Sequence, residues 1–221
     1  MNRAGCEPEP EAAGFVLAGG QSSRMGRDKA LLLFGGKPLV ENALSILRQA
    51  GLPASIAGAR FPLASFAPVV KDLVLGLGPL GGVCTALAST SAQHAVFLPV
   101  DLPLLPASLL VFLLHHARMT GRAVTVPAVN GFAQTFPAVL KRAVLPMLKA
   151  ELDAGRGGCF SAFQAAAASL GEPMSVVAAE LLAQAGQAGH PDGVPVARWF
   201  LNVNTPADLE RAEALCGQSI A

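Results

Sequence analysis

A chain of 221 residues is too short for two full-sized domains, because a single hydrophobic core commonly extends to roughly 250 residues. Apolar residues make up 52% of it and charged residues only 14%, a balance that fills a large core and excludes an intrinsically disordered chain. The formal charge of +1, with no block of five like charges, excludes the electrostatic footprint of a nucleic-acid binder, and Pro, Gly or charge interrupts every apolar run before the ~18 residues of a membrane span.

Residues 1–12, with Glu7, Glu9, Glu11 and several prolines, have neither the basic start nor the apolar run of a secretory signal and read as a flexible tail. Residues 13–221 read as one domain. Apolar runs of four to eight residues at Gly14–Ala18, Ala54–Ala57, His94–Val100, Ala123–Val129, Phe136–Leu140 and Phe200–Val203 are the expected strands. Pro38–Ala50, Leu80–Ser89, Ala107–Met119 and Pro206–Leu215 carry helical periodicity, several with Pro near the first turn. Strands alternating with helices predict an α/β domain with a mostly parallel twisted sheet flanked by helices, in which ligands bind beyond the carboxyl ends of strands. Ala162–His190 is Ala-rich, interrupted by Gly and poor in strand signals, and is expected as a helical or loop insertion. Cys6, Cys84, Cys159 and Cys216 form no C-x-x-C pair. They are expected as free thiols of a cytoplasmic protein, with Cys84 and Cys159 as buried small hydrophobes.

The first strand runs into Leu17-Ala18-Gly19-Gly20, followed by Gln21-Ser22-Ser23-Arg24-Met25-Gly26-Arg27-Asp28-Lys29. Paired glycines after a buried strand let the backbone approach a ligand and aim successive N–H groups at an anion. Ser22 and Ser23 add hydroxyls, while the planar fork of Arg24 and the mobile ammonium of Lys29 suit phosphate oxygens. The stretch reads as a triphosphate cradle, although the Gly-Lys-Ser/Thr ending of a Walker A loop is missing. A G-x-G-x-x-G spelling at Gly76, Gly78 and Gly81 follows no clear strand and carries little weight. The alternative for Gly19 and Gly20 is a plain tight turn, which would not need Arg24 and Lys29.

Leu17-Ala-Gly-Gly-x-x-x-Arg-Met-Gly-x-Asp-Lys29, Gly36-Lys37-Pro38-Leu39, Gly78-Pro79-Leu80-Gly81-Gly82, Asp101-Leu102-Pro103-Leu104-Leu105-Pro106 and Asn202-Val203-Asn204-Thr205-Pro206-Ala207-Asp208-Leu209 occur in that order. Together they resemble the molybdenum cofactor guanylyltransferases, within the wider nucleotidyltransferase group that the first motif marks. The resemblance implies a Rossmann-like nucleotidyltransferase fold and Mg²⁺-dependent transfer of GMP from GTP to molybdopterin molybdenum cofactor, with release of pyrophosphate. It assigns Leu17, Ala18, Gly19, Gly20 and Lys29 to the nucleotide, Asp72 to the guanine or nearby contacts, and Asp101 to both nucleotide and Mg²⁺, with Arg24, Lys29 and Asp101 as the catalytic set. Gln134 matches a position where relatives bind or border the acceptor. Transient contact with cofactor-synthesis or molybdoenzyme proteins is also expected. Where the family often carries asparagine after its second strand, this chain has Ala57 and Gly58. The readings left beside it are a cytidylyltransferase for the same cofactor, a sugar-1-phosphate nucleotidyltransferase and a non-enzymatic cofactor-binding module.

Asp101 falls at the carboxyl end of an expected buried strand, where one carboxylate with substrate phosphates can suffice for Mg²⁺; the competing role is a cap for the helix near Pro106. A phosphate nucleophile is already anionic near neutral pH and needs no general base, in keeping with the lack of a Ser/His/Asp or Cys/His arrangement. His94, His115, His116 and His190 are read as strand, surface or loop residues. Asn202 and Asn204 flank Val203 and would share one face of a last strand, positioning a phosphate or metal-bound water. The competing reading is that Asn204 or Thr205 caps the helix from Pro206.

Overall fold

The computed structural model describes residues 11–18, 28–58, 61–70 and 77–217. In chain order the strands are β1 (Ala12–Leu17), β2 (Leu33–Phe34), β3 (Lys37–Pro38), β4 (Ala54–Ala57), β5 (Val69–Val70), β6 (His94–Pro99), β7 (Val124–Val129), β8 (Phe132–Ala133), β9 (Ala138–Lys141) and β10 (Ser175–Ala178). The helices are α1 (Leu39–Gln49), α2 (Gly78–Ser89), α3 (Ala107–Thr120), α4 (Leu145–Asp153), α5 (Cys159–Ser169), α6 (Ala179–Gln184), α7 (Val196–Trp199) and α8 (Pro206–Gly217), with short 3₁₀ turns at Lys29–Leu31, Phe61–Ser65 and Arg142–Val144.

The main sheet has the order β10-β7-β9-β6-β1-β4-β5, with β8 paired to β7. β1 pairs in parallel with β4 and β6, β4 with β5, and β7 with β10. β9 runs antiparallel between β6 and β7. The sheet is therefore mostly parallel, as expected, and the carboxyl ends of its parallel strands share one edge.

Both faces of the central strands are buried, so side chains alternate between two cores. Ala12, Val16, Val96 and Leu98 face a cluster built with α1, α3, α6, α7 and α8. Ala13, Phe15, Leu17, Ala95 and Phe97 face one built with α2, α4 and α5. Each fully buried Phe or Leu contributes about 1.5–3 kcal/mol relative to exposure, so the residues that position the site hang from a rigid layer. α1 buries Leu39, Val40, Ala43, Leu44, Ile46 and Leu47, the spacing of an apolar helix stripe. Gly14 lets that stripe lie close, because a Cβ there would meet the Leu47 methyls at 3.1 and 3.2 Å.

Three expectations are corrected. Phe200–Val203 is not a strand: β6 already has β1 and β9 on its two sides, so no ladder edge is left for it. The segment instead crosses the carboxyl end of β6, where the Val203 N–H donates to the Asp101 carbonyl at 2.9 Å. The stretch 162–190, expected as a helical or loop insertion poor in strand signals, also supplies a strand of the main sheet. It contains most of α5, which buries Cys159, Ala162, Phe163, Ala166 and Ala167, and then β10, which pairs in parallel with the outer side of β7. Four half-exposed residues are too few for alternation to signal a strand. Finally, Ala12, placed in the tail, begins β1.

Candidate functional site

The chain leaves β1 outward to β4 and β5, then returns to the other side of β1 as β6. The loops after β1 and β6 thus border the crevice at which doubly wound sheets bind ligands. Leu17 ends β1, and its carbonyl accepts the Val100 N–H at 3.3 Å, while the Ala18 N–H donates to the Ala57 carbonyl at 3.1 Å. The strand ends carrying Leu17, Ala18 and Asp101 are thereby fixed side by side. Gly19, Gly20 and Arg24 of the nucleotide loop, and Asp72, lie outside the described residues.

Lys29 opens the 3₁₀ turn that returns from the loop. Asp28 caps the turn, its Oδ1 accepting the Ala30 N–H at 3.1 Å; an acidic residue just before a turn is a signal that the sequence carried. Lys29 Nζ donates to Asp101 Oδ2 at 2.9 Å and to Asn204 Oδ1 at 2.7 Å. Three residues from separate motifs therefore meet around one ammonium. The Lys29 and Asp101 side chains are 18% and 24% exposed, which leaves the pair open enough to exchange partners with an arriving anion.

The loop carrying Asp101 is held by buried Leu102, Leu104 and Leu105 and by Asn42 Nδ2 of α1, which donates to the Pro103 carbonyl at 3.0 Å. Sequence reasoning missed Asn42, because no local pattern marks a side chain that clamps a loop 61 positions away. Asp101 does not cap α3, whose N-cap is Pro106 without a side-chain bond.

Asn204 and Thr205 divide the two roles weighed for them. Asn204 reaches Lys29, while Thr205 Oγ1 accepts the Asp208 N–H at 3.2 Å and Asp208 Oδ2 accepts the N–H groups of Asn204 and Thr205 at 3.1 and 3.0 Å. This reciprocal capping box starts α8. The Thr205 hydroxyl, and then the backbone N–H of Asn204, hold the Asp208 carboxyl below its ordinary range. Asn202 is exposed, and the shared strand face that was to pair it with Asn204 does not exist. Gln134 lies beyond β8, its N–H donating to the Pro127 carbonyl at 2.8 Å and its Nε2 to the Phe132 carbonyl at 3.0 Å. It belongs to the same sheet edge, and its hydrogen bonds stay within the hairpin that follows β7 rather than reaching Lys29, Asp101 or Asn204.

The histidines stand away from this cluster. His94 starts β6 at the opposite edge, His115 is exposed on α3, His116 Nε2 lies 3.0 Å from Ser175 Oγ, and His190 lies in the loop after α6. Cys84, Cys159 and Cys216 are free thiols. Burial pushes the Cys84 thiol up to about 11 and the Cys159 thiol up to about 12, which keeps both protonated and inert. A cleft of about 640 Å³ lined by Ser91, Gln93, Lys141 and Arg142 sits at the amino end of β6, across the sheet from Asp101. Among the described residues, no helix is long and apolar enough to cross a membrane.

The mostly parallel sheet thus gathers a lysine, a carboxylate and an amide beyond the ends of its two central strands. The chain belongs to the MobA-like NTP transferase family, whose model matches residues 14–170. It is 33% identical over 208 residues to the molybdenum cofactor guanylyltransferase of Rhizobium meliloti (strain 1021), covering 90% of this chain and 89% of that one. A protein of the same name from Xanthomonas euvesicatoria is 50% identical over 99 residues; that match spans 44% of this chain and only about half, 50%, of the relative. In fold the chain is similar to molybdopterin-guanine dinucleotide biosynthesis protein A from Archaeoglobus fulgidus, with a TM-score of 0.73, 21% identity, and 93% and 99% of the two chains covered. It is also similar to 2-C-methyl-D-erythritol 4-phosphate cytidylyltransferase from Thermus thermophilus, with a TM-score of 0.65, 20% identity, and 94% and 100% covered.

Proposed function

We propose that this chain transfers GMP from GTP to the terminal phosphate of molybdopterin molybdenum cofactor. A phosphate oxygen of the acceptor attacks the α-phosphorus of GTP, the bond from that phosphorus to the α,β-bridging oxygen breaks, and pyrophosphate leaves with the electron pair. The observation that carries the reading is the convergence of Lys29, Asp101 and Asn204 at 2.7–2.9 Å, directly beyond the strand that feeds the glycine-rich loop. Relatives named molybdenum cofactor guanylyltransferase supply the acceptor.

Lys29 binds the triphosphate by exchanging its contact with Asp101 for phosphate oxygens, placing a cation beside the charge that builds on the leaving group. Asn204 keeps the ammonium aimed as Asp101 lets go. Leu17 and Ala18 hold the start of the loop to the sheet, so that Gly19, Gly20 and Arg24 meet the phosphates from a fixed base. The acceptor comes in along the edge from β6 towards Gln134 of the β7–β8 hairpin.

Mg²⁺ fits these residues. A carboxylate has about four lone-pair positions, so Asp101 could serve Lys29 through Oδ2 and still offer a hard oxygen to the ion, whose other ligands would be substrate phosphates and water. When bound, the ion neutralises negative charge on the reacting phosphates. Orientation and charge compensation fall to Lys29, Asn204 and the loop.

The test is pyrophosphate release from GTP, Mg²⁺ and molybdopterin cofactor, set against CTP and a panel of sugar 1-phosphates. Transfer with GTP and the cofactor is expected. Turnover with CTP and none with GTP would reverse the nucleotide, turnover with a sugar phosphate the acceptor, and none in any arm the enzymatic reading.

A further inference from the structure

The loop from α6 to α7 has no part in the transferase reading, yet it is built as if to present ligands. The N–H of Gly189 donates to Ser108 Oγ on α3, and that hydroxyl donates to the Gly189 carbonyl, both at 3.0 Å. Beyond the loop, Trp199 Nε1 donates to the Val194 carbonyl at 2.8 Å. Between these anchors, His190 to Gly193 form a turn closed by the Gly193 N–H on the His190 carbonyl at 3.0 Å, with Gly193 at a φ of 68°. The turn brings His190 Nδ1 to 3.9 Å from Asp192 Oδ2. Cys216, from the last turn of α8, completes the group: one ligand atom from each of His190, Asp192 and Cys216 lies within 4.8 Å of the others.

We propose that His190, Asp192 and Cys216 form a binding site for a divalent cation of the zinc class, separate from the Mg²⁺ of the transferase centre. The donor set is one imidazole, one carboxylate and one thiolate, the mixture of nitrogen, oxygen and sulfur that zinc accepts and that Mg²⁺, which takes hard oxygens, does not. Zinc bonds of about 2.0–2.1 Å to nitrogen and oxygen and about 2.3 Å to sulfur place tetrahedral ligands roughly 3.3–3.6 Å apart. Closing the observed spacings of up to 4.8 Å to that range needs a contraction of at most about 1.5 Å, to which rotation of the half-exposed Asp192 carboxylate contributes. His190 is nearly buried, with its side chain 7% exposed, and its Nδ1 accepts the Asp192 N–H at 3.1 Å. The neutral ring therefore carries its proton on Nε2, and the cation takes the one Nδ1 lone pair over from the Asp192 N–H, which turns to solvent. Binding releases the Cys216 thiol proton to solvent. Thiolate and carboxylate then balance the double charge, and the fourth position is left to water.

Such an ion clips the loop to the end of α8, and the other end of α8 carries the Asn204 that reaches Lys29. The twelve residues of α8 span about 18 Å, so the ion touches no nucleotide and acts as a brace.

The test is a titration of the full chain with Co²⁺ under oxygen-free, non-chelating conditions. A thiolate-to-cobalt charge-transfer band is expected to saturate at about one ion per chain and to be displaced by Zn²⁺. Cys216→Ser should remove the band and Cys6→Ser should keep it. Asp192→Asn, at a half-exposed position that leaves packing untouched, should keep a band but weaken Zn²⁺ binding at least ~10-fold in competition with a chromophoric chelator. No band at one equivalent, the same band in Cys216→Ser, or unchanged Zn²⁺ affinity in Asp192→Asn would each overturn the proposal.

Discussion

The two edges of the central sheet treat their ionisable groups in opposite ways. At the carboxyl edge, Lys29 is shared between Asp101 and Asn204 while remaining partly exposed, so the ammonium is paired and can be handed to a ligand. At the amino edge, His94 opens the neighbouring β6 with 4% exposure and with neither ring nitrogen hydrogen-bonded among the described residues. The same strand thus begins with a group kept from carrying charge and leads to one that must carry it. Burial separates the two behaviours, and the large cleft beside Gln93 and Lys141 lies at the edge without the exchangeable pair.

Breaking the carboxyl edge should have the largest effects. Asp101→Ala is expected to lower the transfer rate ~100- to 1000-fold, the range for removing a group that positions charge in a transition state, with the circular dichroism spectrum unchanged; retained activity would remove Asp101 from the mechanism. Lys29→Ala deletes a charge-assisted phosphate contact of about 1.5–3 kcal/mol and should weaken GTP binding ~10- to 150-fold by calorimetry. Because the two side chains touch, their combined loss should fall short of the sum in a double-mutant cycle. Additive losses would mean that the Lys29–Asp101 contact does not matter to the reaction.

A smaller effect separates the two roles at the start of α8. Asn204→Ala removes one hydrogen bond to Lys29, worth about 0.5–1.5 kcal/mol, and should weaken GTP binding ~2- to 10-fold without lowering the melting temperature. Thr205→Ala removes the helix cap at a cost of about 1 kcal/mol and should lower the melting temperature more than the nucleotide affinity. The reverse pattern would mean that Asn204 is the cap.

This division also marks what the sequence could tell. Strand β4 and the mostly parallel order were legible because each rests on local pattern, an apolar run and a strand–helix alternation; Lys29 and Asp101 were each singled out, but their contact across 72 positions left no local trace. Phe200–Val203 misled because its apolar content is that of a strand, whereas its structure depends on β6 having no free side, a fact about strands distant in sequence. β10 was missed for the converse reason, since the open edge of β7 recruits four residues too few to show alternation. Asn42 and the approach of Cys216 to His190 depend on tertiary packing alone and left no local trace.

The amino edge yields the smallest effect on activity and a distinct one on stability. Burial first, then the cations of Arg118 and Lys141, lower the His94 pKa against a weaker opposing pull from Glu11. In the unfolded chain the ring takes its proton near the ordinary value of about 6.5, while in the fold it stays neutral to lower pH. The unfolded state therefore binds more protons in that window, so stability falls as pH drops from the ordinary value towards the folded one. His94→Leu removes this titration, and the chain should lose less stability in urea unfolding between about pH 7 and pH 5. Some slope should persist, because burial also lowers the His190 pKa. Transfer activity at neutral pH should be unchanged. An acid slope identical to that of the parent chain would mean that the His94 ring is charged within the fold, and the contrast between the two edges would fail.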